Sequence, residues 1–150
     1  MTAYNLYDRV FSIYIRLKYC EPPNLYAKCF TCGKLHHFTR LQNGHYISRS
    51  VAPHLVFDKM NCHPQCVSCN IFKEGNKQEY RLNLIETYGE EAVKNLELRA
   101  KMRGGGFNRI GLIHQAKELC EEISRMVGNY NNAGVVVDAI ERLKRQMANK

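Results

Sequence analysis

The 150-residue chain is 45% apolar, which allows one ordinary core and excludes a disordered segment. Lys and Arg outnumber Asp and Glu by 22 to 14, and the net charge of +8 points to a polyanionic partner, nucleic acid first. Seven cysteines, four of them in Cys-x-x-Cys pairs, and a start without a basic and then apolar leader argue for metal ligation in a reducing compartment over secreted disulfides; no uncharged apolar run is long enough for a membrane span.

Residues 4–19 are predicted to form the first helix, because Leu6, Val10, Phe11, Ile13, Tyr14 and Leu17 recur at helical spacing. Glu21-Pro22-Pro23-Asn24 ends it. Residues 25–62 carry no long helical pattern. His36-His37-Phe38-Thr39 and His45-Tyr46-Ile47-Ser48 read as two strands of a hairpin joined around Gln42-Asn43-Gly44. An irregular stretch through Pro53 and Phe57 follows. A helix is expected from about Gln65 to Tyr88, broken near Gly75, with Gly89 as its C-cap. A further helical pattern runs from Glu90 to Met102, and Gly104-Gly105-Gly106 reads as a flexible linker. Asn108–Val127 and Val135–Met147 are amphipathic. Ile110, Ile113, Leu119 and Ile123 mark the apolar face of the first; Val136, Ile140, Leu143 and Met147 mark that of the second. The expected organisation is an N-terminal helix over 1–24, a core with its following helices over 25–103, and a C-terminal helical region over 107–150 that serves dimerisation or DNA grip.

The chemistry lies in the middle. Cys29-Phe30-Thr31-Cys32 and Cys66-Val67-Ser68-Cys69 are two knuckles whose thiolates satisfy a tetrahedral structural zinc. A closed site of that kind does no chemistry; it pins the polar residues between and just after its ligands. Cys62 has poorer spacing than Cys66, and Cys20 and Cys120 read as small packed hydrophobes. His45 follows Asn43-Gly44: a neutral imidazole there can take a proton from water, or it is a surface histidine of a hairpin. Asn61 can bond to backbone, or hold the His45 ring in one tautomer. Asn70, directly after the last thiolate, either caps a helix or offers a hard oxygen ligand to Mg2+ or Mn2+. His63 is a second candidate for that cation, or orients a scissile phosphate. Arg49, Lys73, Lys77 and Arg81 either contact phosphates or are ordinary solvated charge. Asn76 and Tyr80, near them, either pack the motif or touch the substrate. Phosphodiester hydrolysis needs this kit of cation, base and orienting amide.

The order Cys-x-x-Cys, Gly44-His45, Asn61, Cys66-x-x-Cys69-Asn70-x-x-Lys73 resembles the HNH, or ββα-metal, endonucleases. Gly44-His45-Tyr46, Pro53-His54-Leu55-Val56-Phe57, Asn61-x-His63-x-Gln65-Cys66, Gly75-Asn76, Tyr80-Arg81 and Glu91-Ala92-Val93 narrow the match. Over about residues 27–96 the chain resembles the NinG/Rap recombination endonucleases of lambdoid phages. The resemblance implies an α+β fold with a zinc-stabilised HNH core wrapped by N-terminal and C-terminal helices. It also implies metal-dependent cleavage of branched DNA, such as Holliday junctions and D-loops, in the cytoplasm of a bacterial host by a phage or prophage protein. Residue by residue, Cys29, Cys32, Cys66 and Cys69 would bind structural Zn2+. His45 would be the base and Asn61 its orienting amide. Asn70, with His63 as a further candidate, would hold a catalytic Mg2+ or Mn2+.

Two positions depart from the HNH pattern. Gly44 stands where many of these enzymes carry a metal-binding Asp, and Asn70 stands where a last His is common. Lambda-type members also carry a long basic N-terminal extension; this chain is expected to do without it, its C-terminal helices taking that part of the substrate grip. Resolving a junction takes two nicks, so a homodimer is expected. The alternatives are a non-catalytic zinc DNA-binding module and a sequence-specific HNH endonuclease acting on duplex.

Overall fold

The computed structural model describes residues 1–148, an α+β arrangement of helices and two small sheets. Helix α1 (Ala3–Lys18) starts where Thr2 Oγ1 accepts the Asn5 N–H at 3.1 Å. At its other end the Tyr130 hydroxyl reaches the carbonyls of Leu17 (3.3 Å) and Cys20 (3.0 Å). Leu6, Val10, Phe11, Ile15 and Leu17 are fully buried, so α1 is central rather than peripheral.

Strands β1 (Tyr26–Lys28) and β2 (Leu35–His37) pair antiparallel around the first knuckle. Strands β3 (Leu41–His45) and β4 (Cys62–Cys66) form the second antiparallel pair. The expected hairpin is thereby corrected. His36 and His37 belong to β2, Tyr46-Ile47-Ser48 lies beyond β3, and Gln42-Asn43-Gly44 lies within β3 instead of turning the chain. The reason is at Gly44: a Cβ there would lie 2.0 Å from Gln65 Oε1. Glycine admits the close approach of a side chain from β4, which is its role in a strand.

The helix expected over Gln65–Tyr88 divides into the end of β4, a π-helical turn over Ser68–Phe72, and α2 (Lys77–Tyr88). Glu74, Gly75 and Asn76 separate the last two, with φ of 50°, 87° and 47°. Glycine tolerates that region; the two residues beside it carry strain of about 1–2 kcal/mol each. Gly89 ends α2 and opens α3 (Glu90–Lys101). After the glycines, Asn108 Oδ1 accepts from the N–H groups of Ile110 and Gly111 to cap α4 (Arg109–Val127), and α5 (Gly134–Ala148) follows.

The buried face of α4 is Leu112, Ala116, Leu119, Cys120 and Ile123. Ile110, expected on that face, is 78% exposed, because it lies two residues, about 200°, around the helix from Leu112. The expected face of α5 holds: Val136, Ile140, Leu143 and Met147 are buried. Helices α1, α4 and α5 share one core with Leu25, Phe38 and Leu41. A smaller core of Ala52, Leu55, Tyr80, Leu84, Val93 and Leu96 joins α2 and α3 to the irregular stretch after β3. No helix among the described residues is long and apolar enough to cross a membrane.

Candidate active site and metal centre

The two knuckles converge as their spacing requires. The ligand atoms of Cys29, Cys32, Cys66 and Cys69 lie within 4.8 Å of one another, and Cys32 Sγ is 3.9 Å from Cys66 Sγ. Zinc–thiolate bonds of about 2.3 Å set tetrahedral S···S edges of about 3.8 Å, so the group can hold a metal ion such as zinc. Burial pushes the Cys29 thiol up, but hydrogen bonds from the Thr31 hydroxyl and from the Cys32 and Cys66 backbone bring it down to about 6. Burial, together with the neighbouring Cys29 thiolate, then raises Cys32 to about 12 and also raises Cys66. Four thiolates this close repel, and a divalent cation removes that repulsion. The Asn76 amide lies 3.8 Å from Cys69 Sγ, so this residue packs the centre.

His45 ends β3 opposite Cys62 and is 9% exposed. Its Nε2 donates to the Val56 carbonyl at 3.0 Å, which leaves Nδ1 as the lone-pair nitrogen. Burial lowers its pKa from 6.5, the Val56 bond acting against that, and Arg49 and Lys77 lower it further. The imidazole is therefore neutral near pH 7. It lines a cleft of about 450 Å³ shared with Asn43, Ser48, Arg49, Asn70 and Lys77. Glu74 is the one carboxylate on that wall. Asn70 Nδ2 donates to Gln42 Oε1 at 2.8 Å, tying the π-helical turn to β3. Lys77 Nζ donates to the His45 carbonyl, tying α2 to the same residue. Arg49 pairs with Asp8 of α1 at 2.8 Å.

Asn61 is fully buried and takes the backbone alternative. Its Oδ1 accepts from Ile47 N–H at 2.7 Å, and its Nδ2 donates to the carbonyls of Ile47 (3.0 Å) and Leu55 (3.1 Å). One amide thus clamps the segment after His45 to the segment before Val56, whose carbonyl holds the ring. Asn61 acts on His45 through backbone, not through the imidazole.

Three expected site residues lie elsewhere. His63 is fully buried and lies among aromatic rings away from the cleft, stacked on Phe30 at 3.8 Å. The Tyr80 hydroxyl donates to the Gly44 carbonyl, so His63 Nδ1–H donates to Tyr80 Oη at 3.0 Å, and Nε2 accepts from the Tyr88 hydroxyl at 3.0 Å. Burial holds its pKa down at about 3. With both nitrogens engaged it has no lone pair for a cation. Tyr80, expected near substrate, is likewise fully buried and cannot touch DNA. Arg81 pairs with Glu97 at 2.7 Å, where the Tyr46 hydroxyl also donates, and joins α2 to α3 away from the cleft. Lys73 is exposed on the turn before α2.

Asn43, Ser48 and Glu74 belong to the cleft and were not singled out from sequence. Their signal was proximity to His45 and Asn70 along the chain. Asp8 carried no such signal, because only the packing of α1 brings it to Arg49.

A family model described as Bacteriophage Lambda NinG protein matches residues 4–125. The protein ninG of Escherichia phage 933W is 45% identical over 69 residues, which is 46% of this chain and 34% of that protein. Those of Escherichia phage lambda (44%) and Salmonella phage P22 (45%) align over the same length and cover 33% and 34% of their own chains. The match therefore spans about a third of the curated relatives' length. No solved structure matches the chain. Since the family model runs from α1 to near the end of α4, the chain belongs to the NinG family of lambdoid phage proteins.

Proposed function

We propose that the chain is an HNH-type endonuclease that hydrolyses phosphodiester bonds of branched DNA. The observation that carries this reading is His45: a neutral imidazole with one nitrogen committed to Val56 and the other free, on a cleft walled by Asn70, Arg49 and Lys77. A water in that cleft gives its proton to His45 Nδ1 as its oxygen attacks phosphorus. The bond from phosphorus to the 3′-oxygen breaks, and that oxygen takes up a proton, leaving 5′-phosphate and 3′-hydroxyl ends. Arg49 and Lys77 supply positive charge beside the phosphate. A divalent cation such as Mg2+ or Mn2+, when bound, would offset charge on the phosphate and the leaving oxygen. Asn70 and Glu74 are the oxygen-bearing groups on the wall suited to it, and Glu74 supplies a carboxylate where the Gly44 position has none. The four cysteines would hold structural zinc.

The test is cleavage of a labelled four-way junction against linear duplex with Mg2+ or Mn2+. Junction cutting by the parent, lost in His45→Ala with binding retained, is expected. Site-dependent duplex cutting would favour a sequence-specific enzyme, and binding without cutting a zinc DNA-binding module. Two nicks per junction further suggest a homodimer, which light scattering of the complex checks; one chain per junction removes it.

A further inference from the structure

A larger groove of about 810 Å³ opens beside the His45 cleft. Its walls come from α1 and α5, and β3 and the π-helical turn close its end. Asn43, Arg49 and Asn70 line both spaces, so the two adjoin. The amide oxygen and nitrogen of Asn43 are both buried without a hydrogen-bond partner among the described residues.

The groove is amphipathic. Arg9, Arg16, Arg49 and Arg142 stand along it, with Asp8 the one acid. Arg9 and Arg142 are exposed and form no ion pair among the described residues. Arg16 is different: it donates to the Ser12 carbonyl at 3.0 Å and lies 4.3 Å over the Phe38 ring, so it positions α1 on β3. Of the apolar residues along it, Ile13, Leu41 and Leu143 are buried, and Ile71 supplies the exposed surface. Ile71 is 54% exposed and its neighbour Phe72 79% exposed, a large apolar area on a turn next to the metal centre.

A blunt duplex offers phosphates outside and hides its base faces in the stack. An unpaired strand offers phosphates and apolar base faces together, and charged grooves with apolar platforms suit it. We propose that this groove seats an unpaired DNA strand, its phosphates on Arg9, Arg49 and Arg142 and its bases against the apolar surface, and that the strand continues into the His45 cleft. The last step rests on the nuclease reading; strand binding does not. Branched DNA is then preferred because its branch point releases such a strand.

The experiment is fluorescence anisotropy on the full chain without added divalent cation. Labelled oligothymidylate is compared with a blunt duplex of the same length across a salt series. The strand should bind about tenfold or more tightly than the duplex. Arg9→Ala/Arg142→Ala should weaken strand binding about tenfold and reduce the log–log salt slope by about 1.4, at about 0.7 per lost phosphate contact. Arg142→Glu alone should weaken it at unchanged thermal stability, whereas Lys117→Ala on the exposed side of α4 should change neither quantity. Equal affinity for strand and duplex, or an unchanged slope in the double variant, overturns the groove. Junction cleavage by the parent separates the two readings. Cutting with unaltered strand binding in the double variant sinks the groove alone. No cutting by the parent, with strand binding that depends on Arg9 and Arg142, sinks the nuclease reading alone.

Discussion

At the scale of single residues, two histidines from the paired strands β3 and β4 have opposite chemistry. His45 keeps one nitrogen free on a cleft wall, while His63 spends both on tyrosines. As a general base His45 works in its neutral form, and burial lowers its pKa from 6.5. Cleavage should therefore stay flat as pH falls to 6.5 and decline only below it; a rate already halved above 6.5 would rule His45 out as the base. His63 is a stability group. Its folded pKa of about 3 lies below the ordinary 6.5, so its contribution is complete above 6.5. The unfolded chain takes up the proton first as acidity rises, and stability is lost between about 6.5 and 3, up to on the order of 5 kcal/mol. His63→Ala should cost about 2–4 kcal/mol at pH 7, since it leaves a cavity and takes one partner from each of the Tyr80 and Tyr88 hydroxyls, and should flatten that acid dependence. Thermal melts at pH 7 and pH 5 read both effects.

At the scale of elements, the β3–β4 pair connects the metal centre to the cleft. Gln65 crosses from β4 over Gly44 and donates to Thr31 Oγ1 (3.1 Å) and the Gly75 carbonyl (2.9 Å). It is fully buried, so it cannot swing aside for a Cβ at Gly44. Gly44→Ala should destabilise by about 2–3 kcal/mol or more, measured by urea unfolding, with the His45 strand displaced. Cys66→Ser breaks the thiolate set at the point where β4 ends. Because a structural metal's binding energy is part of the folding energy, this variant should lose bound zinc and unfold its central region, as circular dichroism and metal analysis would record. Retention of native melting without zinc would remove the structural role.

At the scale of the whole molecule, the first and last segments of the chain make one core. The apolar faces of α4 and α5 close on α1, so they are used within the chain. Ile123→Ala should cost about 2–4 kcal/mol, because its fully buried side chain leaves a cavity beneath α1. A shift of the entire unfolding transition to lower temperature, followed by circular dichroism, is the expected outcome; a change confined to the C-terminal helices would show that they fold apart from the rest. α1 carries Asp8 and Arg9 on its groove side, so damage to this core should reach the cleft through α1.

Local pattern alone determined α1, α3, α4 and α5 and the two cysteine knuckles, and it singled out His45, Asn61 and Asn70. Those features depend on spacing along a few residues: a 3.6-residue period, an x-x gap between thiols, a residue directly after a ligand. Tertiary structure decided what those residues do. Gln42-Asn43-Gly44 carries the composition of a turn, yet a side chain from β4 makes it a strand. His63 and His45 look alike in sequence, and burial among aromatic rings separates them. The Asp8–Arg49 pair and the arginine groove join segments far apart in the chain, and no local period encodes which helix will lie across which strand.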